Sequence, residues 1–189
     1  MRLTYHAPVT LTFALAAVAI TGADAVLGHA LTAAFFSAPP MFSLDPITLL
    51  RMVAHVLGHQ GWEHCLGNMM LLLLLGPMVE ERYGSAPFLA MIVITALATG
   101  VLNAIFFSTG LLGASGIVFM CMALASGTNV RSGEIPLTLV IVALLYGGQE
   151  ILHVLRHDQV SHFAHFLGGT CGVIFGLTFP PTRTAQPTP

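Results

Sequence analysis

Ser115 is the residue whose setting in this sequence most suggests chemistry. Residues 112–116 read Leu-Gly-Ala-Ser-Gly, and glycines on both sides let the backbone turn tightly and leave the hydroxyl uncovered. A helix beginning at Ser115 would direct its unpaired N–H groups and the positive end of its dipole toward a developing oxyanion. The hydroxyl is therefore a candidate nucleophile. The alternative is structural, because glycine and serine are also common where membrane helices pack closely.

His165 is the candidate base. Gly168, Gly172 and Gly176 follow it after three, seven and eleven residues, so all four positions share one helical face. Such a smooth stripe lets a neighbouring helix approach nearly to backbone contact, with His165 held at the end of that contact. A histidine that only hydrogen-bonds two helices together would fit the same pattern.

His64 and Asn68 form a third polar pair. They are four residues apart, so their side chains lie together on one face of a helix. Both can donate hydrogen bonds and could stabilise an oxyanion. Capping a helix or linking two helices is an equally good interpretation of the spacing.

Further histidines cluster on what we predict to be the outer side of the protein. His55 and His59 have a spacing that could share a metal ion, but the His-Glu-x-x-His motif and an evident third ligand are both missing from the sequence. We therefore predict no metal and no cofactor, and favour hydrogen bonding at an interface. The cluster comprises His55, His59, His64, His153, His157 and His162.

The composition places these residues in a membrane protein. The chain has 189 residues, of which 56% are hydrophobic and 7% charged, with a mean hydropathy of +0.86. Disorder requires low hydrophobicity and high charge, and the formal net charge of −2 argues against a basic nucleic-acid-binding surface. Cys65, Cys121 and Cys171 form no CxxC pair or even-numbered framework, so we expect buried, unpaired thiols.

Uncharged stretches long enough to cross a bilayer predict six spans in one domain, residues 1–179. Phe35–Gly61 is expected to form an interfacial loop, and the proline-rich tail Pro180–Pro189 to be disordered. A signal peptide is an alternative for the first span, but the length of its apolar region and the apolar sequence that follows favour a membrane span. The spans are Leu3–Ala23 with an apolar continuation to Ala34, His64–Val79, two helices within Tyr83–Val130 divided at Gly110–Gly116, Ile135–Gln149 extended toward Leu155, and Gln159–Thr182.

Arginine placement predicts the orientation of these spans. With a cytoplasmic N-terminus, four arginines lie inside (Arg2, Arg82, Arg131, Arg183) and two outside (Arg51, Arg156), which agrees with the positive-inside rule.

Taken together, four motifs in this order resemble the rhomboid family of intramembrane serine proteases. His64-x-x-x-Asn68 resembles its second-span motif, and residues 80–85, Glu-Glu-Arg-Tyr-Gly-Ser, its Glu-x-x-x-Gly turn. Residues 113–116, Gly-Ala-Ser-Gly, resemble the nucleophile motif, and Ala164-His165-x-x-Gly168 the sixth-span histidine motif.

The resemblance implies an all-α bundle of six transmembrane helices whose fourth helix starts at membrane depth. It implies a catalytic dyad with Ser115 as nucleophile and His165 as general base, without a carboxylate partner. Asp158 and Glu150 are expected to lie away from the face that carries His165. His64, Asn68 and the Ser115 N–H would stabilise the oxyanion, within a polar cavity open to the outer side.

The implied substrates are single-span membrane proteins with a small residue at the cleavage site and a helix-destabilising stretch beside it. No cofactor is needed, and a bacterial inner membrane is the expected location, with the site open to the periplasm.

Two positions depart from the family pattern. Phe119 stands one turn after Ser115, where a tyrosine often packs under the histidine, and the first loop lacks a Trp-Arg pair. Two other functions are considered: an inactive rhomboid-like protein that binds membrane clients, and a small metal or solute transporter that uses the outer histidines.

Overall fold

A computed structural model describes residues 6–130, residues 159–179 and the isolated positions 137, 140, 141, 144 and 182. Within these residues the chain is helical, with a single antiparallel β-bridge between Ala38 and Leu111. A short 3₁₀ turn, His55–Leu57, follows the third helix. The helices are α1 (Pro8–Val26), α2 (Ala30–Phe35), α3 (Pro46–Ala54), α4 (Trp62–Tyr83), α5 (Ser85–Phe106), α6 (Ser115–Val130) and α7 (Gln159–Thr178).

Among the residues that the structure describes, three helices are long and apolar enough to cross a membrane: α1, α4 and α5. They correspond to the first three predicted spans, and α6 and α7 lie where the fourth and sixth are predicted. The fifth predicted span, Ile135–Gln149, falls outside the described residues apart from four isolated positions. The predicted disordered tail also falls outside them, apart from Thr182.

The first apolar stretch is divided between two helices. α1 ends at Val26, and Gly28 and His29 both have a φ of 65°, which α-helical backbone does not adopt. Asp24 is 2% exposed. One carboxylate oxygen accepts a hydrogen bond from the Thr32 amide at 2.8 Å, and the other lies 3.1 Å from His29 Nδ1. The buried carboxylate therefore holds α2 against the end of α1.

α4 continues past the predicted end of the second span at Val79 to Tyr83. The charged Glu80 does not end the helix, because its carboxylate is buried and both of its oxygens accept hydrogen bonds. It accepts hydrogen bonds from the amides of Val9 and Thr10, both at 2.9 Å. The hydroxyls of Thr10 and Ser85 donate to it at 2.8 and 2.7 Å. One carboxylate thus joins the start of α1, the end of α4 and the start of α5.

The cysteines follow the sequence prediction. Cys65, Cys121 and Cys171 are all buried and unpaired, as small apolar side chains would be.

Candidate active site

Helices α6 and α7 meet backbone to backbone at the site. A Cβ atom added to Gly168 would fall on the carbonyl oxygen of Gly116. One added to Gly172 would lie 2.5 Å from the carbonyl oxygen of Met120 and 2.7 Å from Ala123 Cβ. The glycine stripe predicted from the sequence is therefore an interhelical contact. The contact between Gly116 and Gly168 lies next to Ser115 in α6 and one turn from His165 in α7.

Phe119 connects the histidine to the helix that begins with Ser115. The rings of Phe119 and His165 are stacked, with centroids 4.5 Å apart and planes inclined by 8°. Phe119 lies one turn after Ser115 on α6, so this stack places the imidazole beside the first turn of that helix. Ser115 and His165 are both half-buried. The packing expected of a ring at position 119 is thus present without a hydroxyl group.

His64 and Asn68 contact the segment that precedes Ser115. Gly113 has a φ of +115°, which favours glycine. A Cβ at this position would lie 2.8 Å from His64 Cε1 and 4.0 Å from Asn68 Nδ2. Asn68 is buried and donates to the His64 carbonyl at 3.1 Å. The structure therefore brings all four sequence-predicted residues to one end of α4, α6 and α7.

The break between α5 and α6 comprises residues 107–114, and α6 starts at Ser115, where the sequence predicts the start of this helix. Leu111 exchanges two backbone hydrogen bonds with Ala38, at 2.8 and 3.0 Å. Asn103 Nδ2 donates to the carbonyl of Thr109 at 2.9 Å. The irregular segment is thus covered by the loop between α2 and α3 and by the end of α5.

Two further anchors of this segment come from the outer histidines. The Gly113 amide donates to the backbone carbonyl of His55 at 3.0 Å. The Ala114 amide donates to His59 Nε2 at 3.4 Å. This role of the two histidines is not predicted from the sequence. The sequence predicts hydrogen bonding for these two rings rather than metal binding, but their spacing does not indicate that the backbone before Ser115 is the partner.

The rings of His55 and His59 are occupied by hydrogen bonds. His55 Nδ1 lies 3.1 Å from the Met52 carbonyl, and its Nε2 lies 3.3 Å from the Thr99 hydroxyl. His59 Nδ1 lies 3.2 Å from the Leu57 carbonyl. Burial lowers the pKa of both imidazoles to about 4. The described residues contain no cluster of three metal-ligating side chains, and these rings act as hydrogen-bonding groups.

Of the remaining outer histidines, His162 is half-buried on α7, whereas His153 and His157 lie outside the described residues. Asp158 and Glu150 also lie outside them, so their expected position relative to His165 stays a prediction.

Residues 46–182 match the model of the rhomboid domain. The chain belongs to the rhomboid family. The matched region contains all four motifs of the sequence analysis, from His64 to Gly168. Family membership and the three apolar helices long enough to span a bilayer make the chain an integral membrane protein.

Two of its relatives bear the name Rhomboid protease GlpG. The protein from Haemophilus influenzae is 23% identical over 144 residues, which cover 73% of this chain and 73% of that protein. The protein from Yersinia pestis (strain Pestoides F) is 26% identical over 156 residues, which cover 79% of this chain but 54% of that protein. The chain thus spans about half the length of this Yersinia relative. Similarity to these proteins supports a protease of the rhomboid type.

Proposed function

We propose that this rhomboid protein is an intramembrane serine endopeptidase, with Ser115 as the nucleophile and His165 as its general base. The observation that carries the proposal is the contact between α6 and α7. Gly116 and Gly168 touch through their backbones, and the Phe119 ring stacks on His165 one turn after Ser115. These contacts support the proposal because they bring the His165 ring to the first turn of α6, which begins with Ser115.

In the proposed reaction, the Ser115 hydroxyl attacks the scissile carbonyl while His165 takes its proton. His165 then returns the proton to the leaving amine, and water hydrolyses the acyl-enzyme. His64, Asn68 and the Ser115 N–H stabilise the oxyanion. The contact of Gly113 with the His64 ring supports this assignment, because it brings both side chains to the segment that ends at Ser115.

The proposed architecture is a bundle of six transmembrane helices, with α6 starting at membrane depth and the site open to the periplasmic side of a bacterial inner membrane. Irregular backbone at that depth is tolerated when protein or a wet cavity surrounds it. The hydrogen bonds that cover residues 107–114 fit this requirement. The proposed substrates are single-span membrane proteins, whose helix must unwind before its carbonyl reaches Ser115. Glycine or proline near the cleavage site lowers that cost.

Fluorophosphonate labelling in detergent micelles tests the dyad without knowledge of the substrate. Wild type should label, whereas Ser115→Ala and His165→Ala should not. Ser126→Ala is the matched control, because Ser126 lies on the same helix and its hydroxyl donates to the Met122 carbonyl at 2.7 Å. Asn68→Ala should label about 10²–10³-fold more slowly, as expected for the loss of one oxyanion donor.

Labelling that survives Ser115→Ala would overturn the dyad assignment. A folded wild type that does not label would favour the client-binding function instead.

A further inference from the structure

His59 is placed to act on the backbone immediately before the candidate nucleophile. It lies in the loop between the 3₁₀ turn and α4 and is 1% exposed. Its Nδ1 lies 3.2 Å from the Leu57 carbonyl, a contact that requires a proton on Nδ1. Nε2 is then the unprotonated nitrogen, and it accepts the hydrogen bond from the Ala114 amide at 3.4 Å. The two contacts together define one neutral tautomer.

The bond to Ala114 fixes a short and otherwise irregular piece of chain. Gly113, the preceding residue, has a φ of +115° and donates its own amide to the His55 carbonyl. Ser115, the next residue, begins α6. Two successive amides before Ser115 therefore have acceptors in residues 55–59, one in the backbone carbonyl of His55 and the other in the ring of His59. Of these two acceptors, only the ring of His59 loses its ability to accept the hydrogen bond when it is protonated.

We propose that neutral His59 is a positioning residue for Ser115, and that protonation of its ring releases the backbone that leads into α6. The proposal rests on the proposed function, since it assumes that Ser115 is the nucleophile. It does not make His59 a catalytic residue, because the ring acts through Ala114.

The groups around His59 favour its neutral form. The ring of His64, on α4, lies edge-to-face with that of His59 at a centroid distance of 5.1 Å, so a charge on one disfavours a charge on the other. His55 is a titratable group in the 3₁₀ turn that precedes His59, and His165 on α7 interacts electrostatically with His64. Residues 107–114 carry no titratable side chain.

Burial and the neighbouring His64 lower the pKa of His59 to about 4. Because the folded pKa lies below the ordinary value, the contribution of His59 to stability is complete above about pH 6.5. That contribution falls as the pH drops toward 4. A protonated ring has no acceptor nitrogen, so at the acid end of this range the bond to the Ala114 amide is lost.

The test compares wild type with His59→Gln, His59→Asn and His59→Ala. A glutamine amide oxygen can take the place of Nε2 and accept a hydrogen bond without titrating, whereas asparagine is one methylene shorter. The rate of fluorophosphonate labelling is measured for each variant from pH 4 to pH 8. Thermal unfolding in the same micelles shows which variants remain folded.

We expect His59→Ala and His59→Asn to label at least about tenfold more slowly than wild type at neutral pH, as for misplaced reacting groups. His59→Gln should recover most of this loss. Protonation of His165 gives an acid limb in every variant, with a slope near one in logarithmic form. The wild-type slope should rise above one between pH 5 and pH 4, where His59 also begins to titrate, and the His59→Gln slope should stay near one.

Hydrogen–deuterium exchange of the peptide that contains Ala114 provides a readout independent of catalysis. Protection of its amide should be lost in His59→Ala and kept in His59→Gln. Equal labelling rates and equal acid limbs in wild type and His59→Ala would overturn the positioning role. Loss of amide protection without any Ser115-dependent labelling would instead contradict the proposed function, while leaving the contact between His59 and Ala114 established.

Discussion

The protein anchors the starts of α1 and α6 in different ways. At α1, a buried carboxylate accepts hydrogen bonds from the amides of Val9 and Thr10, both at 2.9 Å. Before α6, a neutral carbonyl and a neutral imidazole accept from the amides of Gly113 and Ala114, at 3.0 and 3.4 Å. The two anchoring regions belong to opposite parts of α4, since Asn68 and Glu80 are about 18 Å apart along the helix axis.

The two kinds of acceptor suit two different roles, since the charged acceptor at α1 serves stability and the neutral acceptors before α6 belong to the candidate site. A helix start has N–H groups without partners inside the helix, and a full negative charge binds them more strongly than a neutral acceptor does. At α1, the carboxylate of Glu80 joins three helices through these hydrogen bonds. Before α6, the neutral acceptors bind the amides of Gly113 and Ala114. Within the part of the chain that the structure describes, no negative side chain stands at these amides to repel the oxyanion that is proposed to form at the start of α6. The mutations below test whether the two regions can be disturbed independently.

The largest effect on stability is expected from Glu80→Ala. Two amides and two hydroxyls lose their buried acceptor, so the free energy of unfolding should fall by about 3 kcal/mol. Thermal or denaturant unfolding in micelles measures the change. The neighbouring Glu81 is exposed, and Glu81→Ala should change stability by less than about 0.5 kcal/mol. The labelling rate of the folded fraction should be retained in both variants, and a rate that falls only in Glu80→Ala would show that the two regions are coupled.

A smaller loss of stability but a larger loss of activity is expected from Gly168→Ala. The new methyl group falls on the Gly116 carbonyl, so α6 and α7 must separate, at a cost of about 2 kcal/mol. A shift of about 1 Å between reacting groups can slow labelling by about 10²-fold. Gly169→Ala is the control, because a Cβ there meets nothing within 4 Å and alanine favours the helix. Similar labelling rates in the two variants would argue against the backbone contact as the feature that sets the dyad.

The smallest effect is expected at Phe119. Phe119→Leu removes the ring that stacks on His165, and a loss of about 0.5–1.5 kcal/mol corresponds to labelling up to about tenfold slower. Phe119→Tyr keeps the ring and should label faster than Phe119→Leu. If leucine serves as well as phenylalanine, the stack does not position the imidazole, and the glycine contact alone must do so.

Much of the site could be predicted because its residues are marked by local spacing. The four-residue interval of His64 and Asn68 and the glycine stripe after His165 both follow from helix geometry. The same spacing at His55 and His59 is compatible with a shared metal ion, but the favoured prediction of hydrogen bonding agrees with the contacts of both rings. The helix ends there in a 3₁₀ turn, and Gly58 is extended with a ψ of 142°, so the two rings serve different partners.

Other contacts had no local signal. Glu80 meets Thr10 across 70 positions of the sequence, and its charge suggested the end of a span rather than a buried anchor. The bridge between Ala38 and Leu111 joins two loops whose sequences contain no alternating pattern. Such pairings depend on how the helices pack, which spacing along one segment does not specify.

The contact between Gly116 and Gly168 has a consequence for how the protein responds to heat. Side chains change rotamer rapidly and independently, whereas two touching backbones separate only when whole helices move, on slower timescales. The distance between the α6 and α7 backbones at the site should therefore change little while side chains gain mobility on warming. Labelling should accordingly persist up to the temperature at which α6 and α7 part, and then stop abruptly.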